Sequence, residues 1–291
     1  MNFARATVAE ISALNARLRR VVFDVPDLRH IGLPDVADAA VDIYLPSDDQ
    51  RHTPDAQCID GVWGYHDEQT APQGRNYSVR FHDAGANRIT VDVVLHTRGP
   101  GSDWARRTAP GDTVVISHAR SWYRPQEGTD WQLLVADLAG LPALARIIAE
   151  SSSQERILAI VEVHDENDLA YLPSRSHVSL VSAVGSGNGR PGSRLTQLVA
   201  DRPLPPGRGY CWFAGEAAQS RAVRKHVRAL GWTTEQFDIV GYWRHDSESW
   251  DAKFADVGTE LVAAYEKALA DGKGDKIASE EFDEALERAG L

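Results

Sequence analysis

The chain has 291 residues, 43% hydrophobic and 25% charged, a composition that suits two globular domains better than one and excludes general disorder. The net charge of −11 sits largely in residues 246–291, which hold 13 acidic and 5 basic side chains, so the nearly balanced remainder lacks the basic footprint that nucleic acid requires. Cys58 and Cys211 are the only cysteines, too few for a disulfide framework or a CxxC knuckle, and no run of about 18 apolar residues exists to insert in a membrane. The first ten residues lack a basic head followed by an apolar core, so no signal peptide is expected. A reducing compartment, most simply the cytoplasm, follows.

Segments 7–13, 18–24, 40–45, 75–82, 88–95 and 113–117 are rich in β-branched or alternating apolar residues. Pro26, Pro34, Gly85-Ala86-Asn87 and Pro110-Gly111-Asp112 punctuate them, and this pattern predicts a small antiparallel barrel over residues 1–125. A polar stretch, 121–130, marks the boundary. Strands are then expected at 131–136, 157–163, 178–184, 210–214 and 237–243, with helices at 141–151, 193–200 and 220–230. Their alternation predicts an α/β domain over residues 126–245 with a parallel sheet covered on both faces. Residues 246–291 form an acidic tail with helices at 257–271 and 279–289, expected mainly to solvate the surface.

Two segments carry chemistry. Arg75-Asn76-Tyr77-Ser78-Val79-Arg80 opens a strand, and its period of two puts Arg75 and Tyr77 on one face. That is a cation for a pyrophosphate and an aromatic surface for a ring, with the Ser78 hydroxyl adjacent; an ordinary half-buried strand would read similarly. A second strand runs through Asp92 to His96 and into Gly99-Pro100-Gly101-Ser102-Asp103-Trp104-Ala105. Its glycines and Ser102 can lead into a short helix whose free N–H groups face an anion.

The order Arg-x-Tyr-Ser, Asp-x-x-x-His and Gly-Pro-Gly-Ser-x-Trp-Ala resembles the siderophore-interacting proteins, FAD-dependent ferric-siderophore reductases with a ferredoxin–NADP reductase-like fold. Asp137-Leu138-Ala139-Gly140-Leu141-Pro142-Ala143, Val161-Glu162-Val163 (similar to the family's central strand), Trp212-Phe213-Ala214-Gly215-Glu216 and Gly241-Tyr242-Trp243 extend the resemblance across residues 3–245. It implies that Arg75 holds the FAD phosphates, Tyr77 packs on the isoalloxazine and Ser78 bonds near N5. Asp92, His96, Gly99, Gly101, Ser102, Trp104 and Ala105 would line the pyrophosphate and adenine side. Asp137 and Ala139 would face the cofactor at a strand end, Gly215 and Glu216 would face NADH or NADPH, and Trp243 would lie near the flavin. Arg120 and Arg244 would hold an anionic ferric siderophore, each with a surface ion pair as its plain alternative. Asp42 and Asp238 stand where relatives can be basic, which weakens the case for a highly anionic catecholate and leaves a hydroxamate or mixed chelator open.

Other features read as structural. Gly187-Asn188-Gly189-Arg190-Pro191-Gly192 fits GxGxxG, but position 212, where a dinucleotide fold wants an acid, is Trp, so a flexible loop is expected. Arg221, Arg224, Lys225 and Arg228 share helical spacing and predict a solvated face, with a 2′-phosphate site or a ferredoxin dock as sharper options. The ten histidines show no paired metal spacing, and no resident metal is expected. The expected activity is FAD-mediated reduction of ferric siderophores by a monomer, with NADH, NADPH or ferredoxin as donor and no essential nucleophile or general base. A flavin or quinone reductase, or a non-enzymatic FAD-containing siderophore carrier, are the alternatives.

Overall fold

The computed structural model of the chain describes residues 3–67, 71–190, 192–245 and 247–290. Its first part contains β1 (Ala4–Ala13), β2 (Leu18–Asp24), α1 (Leu28–Ile31), β3 (Ala40–Leu45), β4 (Gln57–Ile59), β5 (Val62–Gly64), β6 (Gln73–Asp83), β7 (Arg88–Val94), α2 (Pro100–Arg107) and β8 (Thr113–Arg120). Six of these strands close into an antiparallel barrel in the order β1-β2-β7-β6-β3-β8. Alternation drives closure: Val21 and Phe23, Ile89, Val91 and Val93, and Val114 and Ile116 all point inward to one core. The β4–β5 hairpin stands outside the barrel; its three-residue strands are too short to leave a periodic signal.

The second part contains β9 (Trp131–Ala136), α3 (Leu141–Glu150), β10 (Ile157–Val163), α4 (Glu166–Leu169), β11 (Val178–Val184), α5 (Leu195–Ala200), β12 (Gly209–Glu216), α6 (Ala217–Ala229) and β13 (Phe237–Trp243). All five strands are parallel, in the order β11-β10-β9-β12-β13. The centre is β9, and β10, which carries Val161-Glu162-Val163, lies one strand to its side. α3 covers one face through Leu141, Leu144, Ile147 and Ile148. α5 and α6 cover the other through Leu195, Val199, Val223 and Val227. The helix expected at 220–230 begins three residues earlier, because the Glu216 carboxylate accepts the N–H groups of Ala218 and Gln219 and caps it.

The tail departs from expectation. Its helices are α7 (Ser247–Ala270) and α8 (Asp275–Arg288), and α7 starts ten residues before the expected 257. Trp250 and Phe254 stack at 4.7 Å and meet Phe282 and Leu286 in a small core of their own. The tail docks on the arginine row of α6 rather than merely solvating the surface. Arg224 pairs with Asp283 at 2.6 Å, Arg228 with Glu280 at 2.5 Å and Glu284 at 2.7 Å, and Arg221 with Glu287 at 3.8 Å. Arg221, Arg224 and Arg228 of that row are therefore engaged by α8 carboxylates, while Lys225 is exposed as expected.

Buried polar contacts bind barrel to sheet, among them Arg146 of α3 donating to the Val79 carbonyl. Asp38, with no exposed surface, accepts the backbone N–H groups of Trp122 and Tyr123 and the Trp212 indole N–H of β12. Arg20 and the Tyr171 hydroxyl both bond Asp92, and Arg17 bonds Asp168. Burial raises the Asp38 pKa, opposed by those three donors. Replacing Asp38 by Ala strands three buried donors, so urea unfolding should find the variant less stable by roughly 3 kcal/mol, and Asp38→Asn, which keeps one acceptor, less affected.

Candidate functional site

The barrel contributes a candidate anion cradle. Gly99 has φ +122°, a conformation L side chains rarely adopt, and ends the loop from β7 into α2. Pro100 is N1 of the helix, where its missing N–H costs nothing, and the N–H groups of Gly101 and Ser102 have no partner within the helix. Ser102 Oγ accepts the His96 N–H at 2.8 Å and shapes the loop. Arg75 and Tyr77 on β6 face this end. Arg75 is exposed and donates to two neutral acceptors, the Gly74 carbonyl and the Gln73 amide oxygen, so its charge is available. A Cβ at Gly101 would run into the Tyr77 hydroxyl, so only glycine lets the two elements approach. Burial pushes the Tyr77 phenol up and keeps it neutral.

The sheet contributes a second cluster. Strand order reverses between β9 and β12, and in open α/β sheets ligands bind at the carboxyl ends of the strands at this point. Asp137 follows β9 there, fully buried. Its carboxylate accepts the N–H groups of Ala139 and Glu216 at 2.9 Å each and the Trp243 indole N–H at 2.6 Å. Burial pushes its pKa up to about 7 against these donors. A Cβ at Gly215 would sit 2.9 Å from Asp137 Oδ2 and displace this hydrogen-bonded carboxylate. Beside this cluster opens a cavity of about 300 Å³, reaching Glu162, Arg190 and Trp243. The Trp243 ring lies 6.4 Å from the His96 ring, where cradle and cluster meet. Burial and the Arg106 charge lower the His96 pKa.

A third group lies beyond the end of β8. The ladder pairs Ala40 of β3 with both Ser78 and Arg120, so Arg120 stands two strands, roughly 10 Å, from Ser78. Arg120 and Arg244 line a cavity of about 420 Å³ between the residues following β8, β13, α6 and α8. Arg120 pairs with Asp42 at 2.7 Å, and Arg244 lies 4.0 Å over the Trp250 ring.

Several expected site residues do other work. Asp92 is 3% exposed and engaged by Arg20 and Tyr171, so it joins the domains and presents no oxygen to a cofactor. Trp104 and Ala105 turn into the barrel core, Trp104 lying parallel to Phe23 at 6.2 Å, because α2 buries that face. The Glu216 carboxylate caps α6, and Ala139 acts through its backbone N–H. The glycine-rich loop is pinned: Glu162, 1% exposed, accepts from Ser186 Oγ, Ser193 Oγ and the Arg194 N–H. Pro191 of that motif lies outside the described residues. Glu162 was missed as a site residue, although an acid inside an apolar strand is itself a signal; Tyr171 and Asp38 left no local pattern.

The raised Asp137 pKa has a definite sign. The folded chain holds a proton that the unfolded chain, with a carboxylate near 3.8, releases, so this stability is complete below 3.8 and is lost as pH rises through about 7. Relative to wild type, Asp137→Asn should gain stability in urea titrations taken from pH 5 to pH 8. A difference that stays flat over this range would show that Asp137 is ionised throughout.

Comparison with known proteins follows this geometry. Residues 7–121 match the family model of the siderophore-interacting FAD-binding domain, and residues 129–246 that of the siderophore-interacting protein. The NADPH-dependent ferric-chelate reductase of Escherichia coli is 22% identical over 84% of this chain and 93% of its own length. The mycobactin import ATP-binding/permease protein IrtA of Mycobacterium tuberculosis is 31% identical over 58% of this chain, which covers only 20% of that protein. A siderophore utilization protein from T. fusca superposes with a TM-score of 0.73, 25% identity and coverage of 84% and 93% of the two chains. A ferredoxin NADP⁺ reductase from Neisseria gonorrhoeae, with a TM-score of 0.62 at 13% identity over 84% of this chain and all of its own, shares the fold. With the anion cradle on the barrel and the strand-end cluster on the sheet, the two adjoining matches make this chain a member of the siderophore-interacting protein family.

Proposed function

We propose that this chain reduces ferric siderophores through bound FAD, with a nicotinamide nucleotide as donor. The observation that carries the reading is the placement of a cationic cavity two strands from Ser78, on the barrel that also bears the anion cradle. The E. coli relative is named an NADPH-dependent ferric-chelate reductase, which supports both the reaction class and the donor. The cradle fits FAD: Arg75 and the N–H groups of Gly101 and Ser102 suit its pyrophosphate, and Tyr77 offers an aromatic surface. When bound, the flavin accepts two electrons as hydride and passes them on singly, as ferric iron requires.

The chain's own residues hold and orient. Asp137 fixes the Trp243 ring and the first turn of α6, and so shapes the strand-end cavity that takes the nicotinamide nucleotide. Arg120 and Arg244 draw the chelate into the cavity beside β13. The substrate iron stays inside its oxygen ligands. Those hard donors favour the ferric over the ferrous ion, so one electron per iron loosens the complex.

In anaerobic stopped flow, the flavin band should bleach with NADPH or NADH and recover on mixing with a ferric chelate. Bleaching without recovery by any chelate rejects the reductase reading. Arg75→Ala should weaken FAD binding by roughly 10- to 100-fold, the value of one charge-assisted contact, read by flavin fluorescence titration. Arg120→Ala should raise KM for the chelate severalfold and leave flavin content intact.

A further inference from the structure

The tail lies outside both family matches, yet it builds one wall of the cationic cavity. α8 presents Lys276, Ser279, Glu280, Phe282 and Asp283 to that space. Four cations of the cavity each face a protein carboxylate: Arg120 with Asp42, Lys276 with Asp238 at 3.0 Å, Arg224 with Asp283 and Arg221 with Glu287. Two of those carboxylates belong to α8. A third, Glu280, is 8% exposed and holds Arg228 just outside. Arg224 is additionally fixed by the Ile239 carbonyl at 2.8 Å, so its guanidinium is committed on both sides.

We infer that α8 sets the charge class of ferric chelate the cavity admits, its carboxylates neutralising arginines that would otherwise recruit a polyanion. This rests on the reductase reading above. The charges of the candidate substrates are fixed by chemistry. Three hydroxamates carry one negative charge each and cancel Fe³⁺, whereas three catecholates carry two each and leave a trianion. A neutral trihydroxamate complex enters without breaking an ion pair. A trianionic complex must displace α8 carboxylates from Arg221 and Arg224 or lie beside them, and like charges in a partly desolvated cavity repel strongly. Asp42 and Asp238 act in the same direction from the barrel and from β13.

The test measures binding separately from electron transfer, with redox-inert gallium(III) complexes of the same charge as the ferric ones. Calorimetry on the full-length FAD-loaded protein should give tighter binding of a gallium trihydroxamate than of a gallium tricatecholate. Glu280→Gln/Asp283→Asn should tighten the tricatecholate at least roughly tenfold and move the trihydroxamate by less than about twofold, whereas Lys276→Gln should weaken the tricatecholate. Flavin absorbance checks folding, and the single variants Asp283→Asn and Glu280→Gln carry the test if the double variant loads poorly. An unchanged ratio of the two affinities, or a wild type that already prefers the tricatecholate, overturns the inference. Failure of the reductase reading shows independently, when ferric trihydroxamate leaves the reduced flavin unoxidised.

Discussion

A single buried carboxylate, Asp38, sets the relation between the two halves of the molecule. It leaves the barrel before β3 and is met by the N–H groups of Trp122 and Tyr123 and by the indole of Trp212. An unpaired charge at such depth would cost several kcal/mol, so the junction is stable only where all three donors converge. That requirement ties the segment before β3 and the segment after β8 to β12 of the sheet. Asp92 and Asp168 repeat the device at the other side of the junction.

The cradle, the strand-end cluster and the cationic cavity are each assembled from segments distant in sequence. None of the three is formed by one contiguous segment. Tyr77 and Gly101 are brought together by barrel closure, His96 and Trp243 by domain docking, and Arg120 and Lys276 by the return of the tail. The site therefore depends on interfaces, and residues that join barrel to sheet, such as Asp38 and Tyr171, hold its geometry.

Arginine dominates the cations of this chain, 26 of 31. In the folded protein many are already committed: Arg20 to Asp92, Arg120 to Asp42, Arg224 to Asp283. The planar guanidinium can hold a carboxylate and a backbone carbonyl at once, as Arg224 does with Asp283 and Ile239. Sequence charge is thus a poor guide to electrostatic potential here. Four of the 13 acidic side chains of residues 246–291, Glu280, Asp283, Glu284 and Glu287, are counter-charges to α6, and Arg75 on the barrel keeps its charge facing outward.

The sequence by itself determined the barrel, the parallel sheet and the glycine-rich turn into α2. Period-two alternation, apolar runs and the Gly-Pro-Gly turn are local signals, written by backbone sterics and by which face must be buried. Asp137 and Gly215 were singled out only through the family resemblance, and the hydrogen bonds that Asp137 makes to Glu216 and Trp243 come from tertiary structure. Tertiary structure alone decided the rest. Asp92 is engaged by Arg20 and Tyr171, and Trp104 packs on Phe23 in the barrel core, partners distant in sequence. The first ten residues of α7 are helical because Trp250 and Phe254 find Phe282, and the arginine row of α6 is covered because α8 folds back upon it. Charge pairing and side-chain packing act through space, so no spacing rule along the chain records them.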